Sequence, residues 1–188
     1  MNSHSDTRDR MVSGATLLMR QHGFTGTSFR DVWESTGTPR GSVYFHFPRG
    51  KAELGEAVIQ SSLADLLRWT GQAQAEAASA GEFLRGLAAR LADFLAASDY
   101  ARGCPIAAIA IEAPAAFPEL RSVASEAFAT WSRRIADGLA AFGVAPETAA
   151  DHARAVVAAL EGAIIVSKAD RTGDALALTG NLVALGVS

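Results

Sequence analysis

The stretch "TGTPRGSVYFHF", Thr36 to Phe47, decides the fold of this chain. By propensity, Ser42 to Phe47 could be a strand, because Val, Tyr and Phe fit a pleated, half-buried surface. A strand must pair its backbone N–H and C=O groups, however, and no neighbouring segment alternates polar and apolar residues with period two. As a short helix entered through a turn, the same residues agree with their flanks. Ser28, followed three residues later by Asp31, makes a capping-box pattern at the start of the preceding helix. Gly37 permits a sharp turn, and Pro39 pre-sets φ at the start of the next helix while lacking an N–H that a first turn leaves unpaired. The pattern is a helix-turn-helix. Gly41 and Ser42 are small enough to let a helix backbone approach the floor of a DNA major groove, and Arg40 carries a fork that matches guanine O6 and N7.

Outward from this stretch the pattern is helical throughout. Thr7 to His22 is ended by Gly23, Ser28 to Thr36 by Gly37, and Lys51 to Trp69 follows. The small, polar run "TGQAQAEAASAGE", Thr70 to Glu82, is bounded by Gly71 and Gly81 and is expected to connect two helices. Leu84, Leu87, Ala88, Leu91, Phe94 and Leu95 then repeat at helical spacing. Pro105 to Ala113 has Pro at its first helical position and Pro114 just past its end. Leu120 to Phe142, a helix opened by Pro146, and a last one marked by Leu178, Leu182 and Leu185 complete the count. The fold class is all-α with about nine helices, the first three of them around the helix-turn-helix.

Composition agrees and narrows the function. Of 188 residues, 49% are apolar but only 7% aromatic, as in an alanine-rich helical protein. The net charge of −3 does not advertise nucleic acid or membrane affinity, so any such affinity is local. It is found between Arg20 and Lys51, where five basic residues (Arg20, Arg30, Arg40, Arg49, Lys51) face only Asp31 and Glu34. The single cysteine, Cys104, excludes an intramolecular disulfide and is expected to be a small buried hydrophobe, with a sensing thiol as the alternative. The N-terminus has no apolar leader and no apolar run spans a bilayer, so a cytoplasmic protein with no membrane partner is expected. The four histidines lack metal-ligand spacing, and Walker, dinucleotide and nucleophile-elbow motifs are missing. Neither catalysis, nor a cofactor, nor a metal is expected.

The stretch Gly23 to Leu54, "GFTGTSFRDVWESTGTPRGSVYFHFPRGKAEL", resembles the tetracycline-repressor (TetR) family of bacterial transcriptional regulators. The matches are Gly23-Phe24, Thr27-Ser28, Gly37, Gly41-Ser42-Val43-Tyr44, His46-Phe47 and Lys51. Departures are Thr36 and Thr38, where Ala and Val are commoner, and Trp33, where a smaller residue is usual. "RGCPIAAIAIEA", Arg102 to Ala113, together with "PRGS" and "FPRGKAEL", is similar to the branch that includes the lincomycin-resistance regulator.

The resemblance implies an N-terminal DNA-binding domain over residues 1–50, in which the first three helices hold DNA, and a ligand-binding and dimerisation domain over 51–188, in which later helices enclose a ligand and the last two pack against a second subunit. Tyr44, His46 and Lys51 then contact phosphates, with Thr27 or Ser28 helping at the helix-two N-terminus. Pro39, Arg40 and Ser42 face bases, with Thr38 beside them at the turn. For Tyr44 the alternative is a core aromatic, for Arg40 and His46 a solvated surface residue, and Phe47 is expected in the core. Alanine-rich helices facing large side chains either close tightly or leave a pocket. The resemblance favours a pocket lined by Phe94, Ile109, Phe117, Phe128 and Trp131, with Glu112 as a polar contact. The expected partners are a palindromic double-stranded DNA operator, a small hydrophobic or aromatic effector, and a second copy of the chain held through Glu147 to Ser167 and Asp174 to Leu185. The expected function is a repressor released by its effector. The alternatives are an architectural DNA-binding protein with no ligand switch, distinguished by a solid C-terminal core, and a helical enzyme.

Overall fold

The computed structural model describes residues 3–113 and 117–187, so Pro114 lies outside the described residues. Among them are nine helices and no strand: α1 (Ser3–His22), α2 (Phe29–Thr36), α3 (Arg40–His46), α4 (Lys51–Glu76), α5 (Ala80–Ala96), α6 (Pro105–Glu112), α7 (Pro118–Ala141), α8 (Pro146–Asp170) and α9 (Asp174–Leu185). Their termini follow local chemistry. Ser79 caps α5 by accepting the Glu82 N–H, and Pro105 and Pro146 open α6 and α8, where a missing N–H costs nothing.

The chain forms two compact units. The first comprises residues 1–63 and 104–127, so α6 and the start of α7 belong with the helix-turn-helix, and the expected boundary at residue 50 falls inside it. There α1 packs on α2 and α6, and α2 on α3. Met11, Met19, Phe24, Val32, Val43, Phe47, Ile59 and Ile109 are fully buried.

The second unit comprises residues 64–103 and 128–188. Here α5 packs on α8 and α9, and α8 on α9. A Cβ at Gly180 would come within 2.8 Å of the Ala88 Cβ, so glycine sets how closely α9 lies on α5. The run expected to link two helices from Thr70 onward is largely helical: α4 continues to Glu76. Gln, Ala and Glu are strong helix formers, and Thr70 is held inside by donating its hydroxyl to the Leu66 carbonyl.

Candidate nucleic-acid interface

The turn between α2 and α3 is built by short-range hydrogen bonds. Ser28 has extended backbone angles and its Oγ accepts the Asp31 N–H at 3.2 Å, while the Asp31 carboxylate accepts the Ser28 N–H and hydroxyl. Those bonds from Ser28, its hydroxyl first, hold the Asp31 carboxyl below the usual carboxylate range. At the far end of α2, Gly37 adopts φ 63°, and the N–H groups of Gly37 and Thr38 both reach the Trp33 carbonyl. Thr36 donates its hydroxyl to the Val32 carbonyl and lies 2.8 Å from the Thr38 hydroxyl, so the two threonines tie the turn together.

Pro39 stands just outside α3 with φ −62° and ψ 139°, and Arg40 is the first helical residue. Val43 and Phe47, four residues apart, bury one face of α3. The opposite face is open: Pro39, Arg40 and Gly41 are exposed, Ser42 and His46 half-exposed, and Tyr44 and Phe45 are 61% and 70% exposed. The Tyr44 ring leans on Phe29 at 6.0 Å, giving it an apolar support. A Cβ at Gly41 would meet nothing within 4 Å, so nothing inside the protein requires glycine there.

The basic residues divide into two groups. Arg30 is tied to Glu34 at 2.7 Å, and Arg49 to Glu56 at 2.6 Å. Arg40 has no ion pair among the described residues, and its guanidinium lies over the Trp33 ring. The Lys51 ammonium sits 4.6 Å from the Phe24 ring centroid and donates to the Thr25 carbonyl at 3.5 Å. Burial pushes its pKa down, opposed by the charges of Glu112 and Asp31.

Two residues expected at the DNA surface are inside. Thr27 is 1% exposed and donates its hydroxyl to the Gly23 carbonyl, and Thr38 is 5% exposed. Short side chains that satisfy turn carbonyls or one another do not reach outward. Ser28 remains exposed, with its hydroxyl engaged by Asp31.

The six residues expected around an effector are divided between the units. In the first, Ile109 is fully buried, Phe117 meets Phe24 edge-on at 6.3 Å, and Glu112 accepts hydrogen bonds from Thr25. Glu112 thus supports the α1–α2 connection, a contact with no signal in the sequence. In the second, Trp131 is fully buried with its indole N–H donating to Thr70 Oγ, and Phe94 stands 5.0 Å from Trp69. Phe128 lines a groove of about 330 Å³ along α7 and α8, with Ser132, Arg133, Arg154 and Val157.

On α8, Ala155, Ala158, Gly162, Ile165 and Val166 are exposed along one stripe, whereas Ile164 is buried within its own unit. On α9, Leu178, Leu182 and Leu185 are 64%, 68% and 73% exposed. No described helix is long and apolar enough to cross a membrane.

Comparison with known proteins agrees with this arrangement. Residues 12–58 match the family described as bacterial regulatory proteins, tetR family. Residues 80–181 match the C-terminal domain of LmrA/YxaF-like transcriptional regulators. The chain belongs to the TetR family, in its LmrA/YxaF-like branch. An HTH-type transcriptional regulator of Mycobacterium tuberculosis is 33% identical over 87% of this chain and 85% of its own. The HTH-type transcriptional regulator LmrA of Bacillus subtilis is 25% identical over 88% of each chain. The regulatory protein TetR from Rhodobacter sphaeroides shares the fold, with a TM-score of 0.84 at 21% identity over 96% of this chain and 98% of that one. This TetR-family member is a DNA-binding transcriptional regulator, and α2 and α3 are its helix-turn-helix.

Proposed function

We propose that this regulator is a repressor that binds a palindromic operator as a homodimer and leaves it when a small hydrophobic effector binds. The observation that carries the DNA half is the open face of α3. Arg40 is exposed and has no ion pair among the described residues, and a Cβ at Gly41 would meet nothing within 4 Å. In this reading Pro39, Arg40 and Ser42 meet base edges, and Tyr44, His46 and Lys51 meet phosphates, with Ser28 at the α2 N-terminus. Thr27 and Thr38 shape the turn from within.

The dimer is supported by the apolar residues exposed on α8 and α9. Two such helices from each subunit would cover one another as a four-helix bundle. A two-fold dimer then places its α3 helices in successive major grooves about 34–36 Å apart. An effector held within the second unit by residues among Phe94, Phe128 and Trp131 acts by preferring the spacing that does not fit, with a coupling of about 1–3 kcal/mol. The Phe128 groove, lined by Phe128, Ala136 and Val157 together with Arg133 and Arg154, supports an effector with an aromatic or aliphatic body and one polar end.

The test begins with selection of bound duplexes from a random pool, followed by screening planar hydrophobic compounds for release. The proposal expects an inverted repeat and at least one releasing compound whose binding is altered by substitution of Phe128. Enrichment without two-fold symmetry would remove the dimeric repressor. Binding that no compound alters would favour an architectural protein.

A further inference from the structure

We propose that Trp33 is a positioning residue for base reading: its indole face holds the Arg40 guanidinium so that the N–H edge is presented to a guanine in the major groove. The inference rests on the reading of Arg40 as a base-contacting residue. The guanidinium carbon lies 5.5 Å from the Trp33 ring centroid, within the range of a cation–π contact. A stacked guanidinium offers its π face to the ring and keeps its in-plane N–H groups available, which is the geometry a bidentate acceptor such as guanine O6 and N7 requires. Pairing with a carboxylate would do the reverse. Arg30 and Arg49 show that alternative, with their N–H groups engaged by Glu34 and Glu56.

Trp33 is itself well placed to act as a fixed platform. Its carbonyl accepts the N–H groups of Gly37 and Thr38, so its backbone closes the turn that its side chain overlooks. The residue is half-buried, and the Arg40 guanidinium lies over its ring. Arg40 opens α3 directly after Pro39, whose ring restricts φ at that point. A long, flexible side chain loses conformational freedom when it docks on a base, and a stacking partner in the free protein removes part of that loss beforehand. This also accounts for a large aromatic at a position where the family resemblance leads one to expect a smaller residue.

The experiment uses the full chain and duplexes enriched by the wild type from a random pool, with each base pair of the half-site then varied in turn. Binding is measured for wild type, Trp33→Leu, Trp33→Phe, Arg40→Ala and the Trp33→Leu/Arg40→Ala double variant, after thermal unfolding shows that each is folded. Trp33→Leu should weaken discrimination about two- to five-fold, the scale of an exposed cation–π contact, at the same base pair whose preference Arg40→Ala abolishes. Affinity for a scrambled duplex and the salt dependence should stay unchanged. Trp33→Phe should keep most of the discrimination, and Trp33→Leu should add nothing when Arg40 is already Ala. If Arg40→Ala shows a base-pair-specific loss and Trp33→Leu does not, or loses cognate and scrambled duplexes equally, the positioning role is overturned while the reading of Arg40 stands. If Arg40→Ala shows no base-pair-specific loss, both are overturned.

Discussion

The Glu112 carboxylate at the end of α6 accepts two hydrogen bonds from Thr25, from its backbone N–H and from its hydroxyl, each at 2.7 Å. The same carboxylate fills the space beside Gly23, where a Cβ would overlap it and where φ is +76°. Glu112→Ala should therefore cost about 1 kcal/mol, the scale of a lost charge-assisted bond at a partly exposed site. Gly23→Ala should cost more, because the left-handed backbone alone disfavours a side chain by about 1–2 kcal/mol. In the Glu112→Ala background the Gly23→Ala penalty should shrink without vanishing, since the overlap is relieved and the backbone strain is not. Denaturant titration of the four proteins measures this, and strict additivity would show that the two residues do not meet.

Gly41 separates stability from binding. A methyl group at this position meets nothing in the protein, and alanine is the better helix former. Gly41→Ala should leave stability unchanged or raise it by up to about 1 kcal/mol. It should nevertheless weaken DNA binding, by holding the α3 backbone away from the groove. Equal affinity for the selected duplex would show that α3 does not approach DNA along this face.

In the proposed reading Lys51 neutralises a phosphate without reading sequence. Lys51→Ala should weaken cognate and scrambled duplexes by the same factor and lower the slope of log affinity against log salt by about 1. A loss confined to the cognate duplex would reassign it. Because its ammonium also rests on Phe24, a small drop in the thermal midpoint is expected alongside.

Leu182 tests the proposed subunit interface more cleanly than a core residue can. It is 68% exposed in the single chain, so a charge there does not disturb the unit that carries it. The wild type should scatter light as a particle near twice 19.6 kDa, and Leu182→Glu near 19.6 kDa with unchanged helical content. Ile164 is unsuitable because it is buried within its own unit, so a charge there would test folding. An unchanged mass for Leu182→Glu would move the interface elsewhere.

The capping box gives stability a pH dependence of known sign. Ser28 holds the folded Asp31 carboxyl below its ordinary value, so its contribution is present above about pH 4 and is lost as pH falls through the depressed folded value. Wild type should exceed Asp31→Asn in stability at neutral pH, and the gap should narrow in acid. Denaturant midpoints across a pH series test it, and a gap constant into strong acid would show that the charged carboxylate is not what Ser28 stabilises.

What the sequence by itself determined is local. The capping box of Ser28 and Asp31, the left-handed Gly37, the Pro39 entry to α3 and the Val43 and Phe47 face all depend on residues within a turn or two of one another, so their spacing carries the information. The same holds for helices opened by Pro105 and Pro146. The flanking glycines misled at the small, polar run after Thr70, which continues α4: its Gln, Ala and Glu are good helix formers, and Thr70 is anchored by Trp131 and Leu66. Only tertiary structure decided which side of each helix is covered. Thr27 and Thr38 turn inward, Ile164 is buried while Ile165 is not, and Arg40 meets Trp33 across a turn. Glu112 reaches Thr25 across 87 residues. No periodicity encodes such pairs, because a contact between distant segments arises from the packing of whole helices, and a carboxylate has the same letter whether it faces solvent or a turn.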